Sequence, residues 1–350
     1  MRARPVPPQL ADDGRHIDPR LGDRDGEAAA IEVREPDVAW PIAPEAHPAP
    51  DLPPSATYYD LPVVKSPPWN WYVPAYFYAG GLAGAAASLI GAAELADRRF
   101  PLGRQLRWIA VLGDAAGAAL LVADLGRPAR FHHMLRVFRP TSPMNLGTWI
   151  LSSAGATSAL GMWWALRDRK APAAAGLASL VTGTALSTYT GVLLGNTAIP
   201  LWHQTRRRLP IWFAAISAAS LGSLLELIAP DARAVRTYTT LAKTAQLLCA
   251  ASVSRAARAA GVAGPVQRGR SSALWRTATW LGIASLAITA WPGGSRRRSL
   301  LAGALGTAAG LISRFAITEA GRASAADPRA TFEPQRRANP APGAPIKAGG

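Results

Sequence analysis

Residues 72–95 read YVPAYFYAGGLAGAAASLIGAAEL, a run of small and apolar side chains with one charged residue, Glu94. A bilayer core of roughly 30 Å is crossed by about 20 apolar helical residues, because every backbone N–H and C=O must find its partner inside the helix where water is absent. Comparable runs recur at about 106–125, 146–167, 173–195, 209–229, 238–258, 273–291 and 299–319. The expected fold is therefore an all-α integral membrane protein, a bundle of about eight transmembrane helices. The sixth run is the least apolar, since Lys243, Arg255 and Arg258 interrupt it. Glycine and alanine clusters such as Gly80, Gly81, Gly84, Ala85 and Ala86 let helices approach closely, which is how helices associate where no hydrophobic force favours it.

Two polar segments flank these runs. Residues 1–57 are rich in Pro, Asp and Arg without an apolar period and are expected to be a disordered tail. They contain no apolar core of a signal peptide, so the first helix is expected to direct insertion. Residues 58–320 make the helical domain, and 321–350 a polar C-terminal tail. The tails dilute the apolar signal, which is why 49% hydrophobic content coexists with a mean hydropathy of only +0.09.

The net charge of +16 comes from 38 basic against 22 acidic residues. A nucleic-acid partner is the first thought for so basic a chain, but the arginines sit at helix boundaries, as at Arg206, Arg207, Arg208 and Arg296, Arg297, Arg298, and form no single stripe. The lipid bilayer explains them better, through headgroup contact and topology. Both sets of loops are arginine-rich, so the charge count leaves orientation open. Tryptophans and tyrosines near helix ends, Trp69, Trp71, Tyr72, Trp108, Trp202, Trp212 and Trp291, read as interfacial belts.

The chain has one cysteine, Cys249, and five histidines. That excludes an iron–sulfur cluster ligated by this chain alone. His16 and His47 lie in the tail and His132, His133 and His203 in expected loops, so no helix interior offers paired imidazoles for a haem, and no metal site is expected. Any electrons this protein handles belong to borrowed or diffusible centres.

Alternating traversal places the ends of the second and fourth helices and the starts of the first, third and fifth on one membrane side. Asn70, Trp71, Asp124, Ser142, Asn145, Tyr189 and His203 then gather there. A phenol, a carboxylate, an imidazole and indoles suit a quinone, with apolar walls for ring and tail and one donor for each carbonyl oxygen. Each residue also has a plain structural reading, as a belt aromatic, a loop polar group or a cap. Asp124 stands at a helix C-terminus, where the macrodipole disfavours it, and Arg127 three residues on is its nearest compensating partner. Within the runs, Glu94, Asp114 and Glu226 are candidates for a proton path, beside Lys243, Arg255 and Arg314, because ionisable groups at membrane depth are costly unless paired or hydrated. Asp114 precedes Asp124 by ten residues on one helix, about 15 Å along the axis.

Several of these stretches also carry a family likeness. Trp69-Asn70-Trp71-Tyr72-Val73-Pro74-Ala75-Tyr76-Phe77 with Gly80-Gly81, Asp124-Leu125-Gly126-Arg127-Pro128, Ser142-Pro143-Met144 with Gly147 and Trp149, and Tyr189-Thr190-Gly191 with Pro200-Leu201-Trp202 resemble, in order and spacing, the NrfD/PsrC family of polysulfide-reductase-like membrane subunits. The resemblance implies an eight-helix subunit in the bacterial cytoplasmic membrane. Such a subunit exchanges electrons between menaquinone or ubiquinone and a four-cluster, ferredoxin-like iron–sulfur subunit. That partner serves a molybdopterin-containing catalytic subunit, as in anaerobic respiration. It further implies that Tyr189 hydrogen-bonds a quinone oxygen, that Asn70 and Trp71 flank the pocket, and that the Asp124 to Arg127 turn and the Ser142 loop shape it or dock the partner. Some family members carry a histidine near the start of the first helix; here Asn70 and Trp71 occupy that region.

On this reading the chain is not catalytic by itself. A proton-translocating or transporter-like subunit is the alternative raised by the intramembrane charges, although no internal repeat is evident and the Gly/Pro breaks fall at helix ends. A purely structural anchor is the third.

Overall fold

Apolar, small-residue runs bounded by proline, serine and arginine become helices with defined ends. The computed structural model describes residue 62 and residues 64–97, 102–293 and 295–332. The tail expected over residues 1–57 lies outside the described residues. Among those described, the structure is all helical. The order is α1 (Tyr72–Leu95), α2 (Gly103–Asp124), a 3-10 segment (Pro128–Leu135), α3 (Pro143–Leu166), α4 (Ala173–Gly195) and the short α5 (Pro200–Thr205). Then come α6 (Leu209–Ile228), α7 (Arg233–Ala259), the one-turn α8 (Gly264–Gln267), α9 (Gly269–Ala290) and α10 (Arg296–Ala326).

Five helices are long and apolar enough to cross a membrane, α1, α2, α4, α6 and α10. The eight runs anticipated from sequence each correspond to a helix of at least 20 residues. However, α3 is diluted by Thr148, Ser152, Ser153, Thr157 and Ser158, while α7 and α9 carry arginines and Lys243.

Local chemistry sets the ends. Ser142 caps α3 by accepting from the backbone N–H of Asn145 at 3.5 Å, with Pro143 in the first turn, where its missing N–H costs nothing. Asp97 and Asp168 adopt left-handed backbone angles, φ 51° and 50°, just past α1 and α3, a role usually taken by glycine or asparagine. Lys170 pairs with Asp97, tying the end of α1 to the α3–α4 connection.

Packing follows the small residues. Gly84 and Gly91 of α1 meet Gly183 and Gly176 of α4, so closely that a Cβ at Gly84 would lie 2.6 Å from the Gly183 carbonyl oxygen and one at Gly91 2.5 Å from that of Gly176. The seven-residue spacing keeps one face of each helix in register along the crossing. Gly303, Gly306 and Gly310 of α10 similarly admit Ser223 and Ser220 of α6. By contrast α2 buries only Leu106, Ala110, Asp114 and Gly117, one narrow stripe at helical spacing, and turns the rest outward.

The aromatic belt needs correcting. Trp71, Trp108 and Trp291 are exposed, but Trp202 and Trp212 are core, at 0% and 1% exposure. Trp202 arrives there because α5 tucks inward. It stacks on Trp69 at 5.4 Å, donates from Nε1 to the Ile317 carbonyl at 3.0 Å, and lies against Gly321, where any side chain would collide with its ring. The Ser324 hydroxyl accepts from the Leu201 N–H at 3.0 Å. Residues 321–326, read from sequence as the start of a polar tail, are thus the packed last turns of α10. Their small side chains are what α5 requires.

Candidate functional site

The alternation of the helices brings the starts of α1, α3 and α6 and the ends of α2 and α4 to one end of the bundle, as anticipated. Within it, the polar residues separate by depth. Asn70 is exposed, and Trp71, 59% exposed, packs on the Tyr72 ring at 4.4 Å. His203 is exposed on α5, with Nε2 3.0 Å from Nη1 of Arg206. Asn145 serves its own loop: Nδ2 donates to the Met134 and Val137 carbonyls at 2.8 and 2.9 Å, and Oδ1 accepts from the Arg139 N–H at 2.7 Å. With Ser142 as cap, side chains of the connection hold it in place. Asp124 is half-buried, and its Oδ1 has no hydrogen-bond partner among the described residues; Arg127 is exposed.

Tyr189 goes inward. It is 5% exposed, and its ring occupies the space left by Gly147 of α3, where a Cβ would lie 2.5 Å from Cε1. Its buried hydroxyl has no side-chain hydrogen-bond partner among the described residues; the Gly147 backbone is its polar neighbour. Around it, three further helices contribute polar groups. Tyr76 of α1, 3% exposed, lies within electrostatic reach of both Tyr189 and Asp114, its ring set against Gly80 and Gly117. Asp114 of α2, 5% exposed, faces Ser158 of α3 and lies beside Gly155. The Ser158 hydroxyl is the polar group that interacts with the Asp114 carboxyl, and no cation pairs with that carboxyl among the described residues. Buried polar atoms are normally satisfied, so these weakly bonded groups, at the first turns and the middle of α3, mark where a polar ligand would gain partners.

The other intramembrane charges behave differently. Glu94 is neutralised by Arg107 of α2. Glu226 accepts from the Lys243 ammonium at 2.6 Å and from the Thr289 hydroxyl at 2.7 Å, while Lys243 also donates to Thr289 at 2.9 Å. Arg314 is 1% exposed, donates from Nη2 to Ser217 at 2.8 Å and sits 4.3 Å over the Phe213 ring. Its Nε and Nη1 have no hydrogen-bond partner among the described residues. Of the three proton-path candidates, Asp114 alone forms no ion pair among the described residues.

Tyr76 and Ser158 were not singled out by sequence. Hydroxyls within apolar runs carry no direction of their own. The available signal was indirect, in Asp114 lying on the same stripe as Leu106, Ala110 and Gly117.

Compared with known families, residues 55–327 match the NrfD family model described as polysulfide reductase. No curated protein matches the chain.

Proposed function

The chain belongs to the NrfD polysulfide reductase family, and from that premise we propose that it is the quinone-reactive membrane anchor of an oxidoreductase complex, with all eight long helices crossing the bilayer. The observation that carries this reading is the Tyr189 hydroxyl, buried against the first turns of α3, with Tyr76 within electrostatic reach of both it and the buried Asp114. A quinone oxygen accepts from the Tyr189 hydroxyl. Quinol oxidation releases two electrons and two protons. The electrons pass to an iron–sulfur partner, because this chain's single cysteine and scattered histidines hold no cluster or haem. The protons need acceptors, and Asp114 is a buried carboxyl with no paired cation among the described residues.

The α2–α3 connection supports partner docking at the same end. Phe131, Val137, Phe138 and Met144 are exposed there among Arg130, Arg136 and Arg139, an apolar and basic surface suited to an acidic ferredoxin-like subunit bound to a molybdopterin enzyme. The membrane quinone is menaquinone or ubiquinone, and the setting a bacterial cytoplasmic membrane.

The direct test is Tyr189→Phe in the purified complex. Losing the donor to a buried quinone oxygen costs about 1.4 kcal/mol, so the KM for quinol should rise about tenfold with the complex intact. Unchanged quinol affinity removes Tyr189 from the site.

A further inference from the structure

At the opposite end of the bundle, an open cavity of about 340 Å³ lies between the first turns of α7 and the last residue of α9. It is lined by Arg233, Arg236, Thr237, Thr240, Leu241 and Ala290. Arg236 is held rigidly. Its Nε donates to the Thr289 carbonyl at 3.0 Å and its Nη2 to those of Ala290, at 3.5 Å, and Trp291. Nη1 has no hydrogen-bond partner among the described residues. The Arg233 side chain is exposed and forms no ion pair among the described residues; Asp231, the acid of the adjoining turn, pairs with neither arginine there. Arg296 and Arg297, exposed at the start of α10, extend the positive potential at this end.

Apolar surface continues from the charged end. Leu241 and Leu248 are 68% and 63% exposed, and seven residues apart they share one side of α7, about 10 Å along its axis. On α9, which packs against α7, Ile283 and Trp280 are also exposed. Two cationic side chains, one preset in orientation, followed along α7 by exposed leucines, which face lipid on the proposed reading that all eight long helices cross the bilayer, match the chemistry of an anionic lipid from head to tail.

We propose that this cavity binds the phosphodiester headgroup of an anionic phospholipid, with an acyl chain laid along Leu241 and Leu248. A free phosphate would use the arginines and leave the leucines idle, and a zwitterionic lipid brings the same phosphodiester with a choline cation that cancels its net charge and weakens its attraction to the arginines.

The test uses the full chain, washed in neutral detergent and titrated separately with phosphatidylglycerol, phosphatidylcholine and inorganic phosphate. Native mass spectrometry and the thermal midpoint are the readouts. Phosphatidylglycerol should be retained one to one and raise the midpoint, and the other two should not. Removing one arginine charge, in Arg233→Gln, should weaken phosphatidylglycerol about fivefold, with Arg233→Lys largely restoring it. Because Arg233 is exposed, the variant keeps its fold. Leu241→Gln should weaken the lipid independently of charge. Equal retention by Arg233→Gln, equal binding of phosphatidylcholine, or protection by inorganic phosphate alone would each overturn the proposal.

Discussion

Lys243→Met should destabilise the folded protein by about 3–5 kcal/mol, because it leaves the Glu226 carboxylate buried without its cation. The side chains are 2% and 4% exposed, so water cannot compensate. Thr289 helps only in part. Its single hydroxyl proton can go to Glu226 at 2.7 Å or to the Ser285 carbonyl at 2.8 Å, one at a time. The double change Lys243→Met with Glu226→Leu removes both charges and should recover most of the loss, as buried ion pairs exchanged for apolar residues commonly do. Thermal midpoints of the purified variants decide this. The double variant should also keep quinol-dependent turnover, since the account gives Glu226 a structural role in joining α6, α7 and α9. A midpoint for Lys243→Met equal to the parent's would mean that the network contributes nothing.

Asp114→Asn should lower quinol-dependent kcat by about 10²- to 10⁴-fold, the range for losing a positioned proton acceptor. Asparagine matches the shape of aspartate but exchanges no proton, so the α2 stripe of Leu106, Ala110 and Gly117 keeps its packing and the protein its stability. The signature separates the two site residues. Asp114→Asn should act on kcat with little change in KM, whereas Tyr189→Phe acts through KM. Steady-state turnover of the complex over a range of quinol concentrations measures both. An unchanged kcat would leave Asp114 as a buried polar residue without a part in the reaction.

Much of the helical layout was legible, because runs of small apolar residues are long-range signals. The boundaries foreseen at 72–95 and 173–195 are those of α1 and α4. Elsewhere hydropathy cut helices short at their arginines. α7 begins at Arg233 and α10 at Arg296, since a long basic side chain stays helical while carrying its charge out to the headgroups. Trp202 misled for a related reason. A tryptophan beside a proline and a histidine looks interfacial, and only the inward fold of α5 onto Gly321 makes it core.

The site was legible as a level of the membrane rather than as a pocket. Counting traversals put Tyr189, Asp124, Asn145 and His203 at one end, but which of them turn inward depends on helix rotation. Gly147 opposite Tyr189 fixes that for α4, and the glycines beside Tyr76 fix it for α1. The second half of the chain, where sequence showed mainly arginines, proved to hold the closed Glu226, Lys243 and Thr289 network and the buried Arg314, neither of which hydropathy can pair.

Photolabelling of the intact complex with an azido-quinone, followed by mapping of the modified peptides, locates the quinone. Labels should fall on α1 near Tyr76, on the first turns of α3 near Gly147 and on α4 near Tyr189, all suppressed by excess unlabelled quinone. Labels confined to α7, α9 and α10, with the α1–α4 half unmarked, would contradict a quinone site at Tyr189.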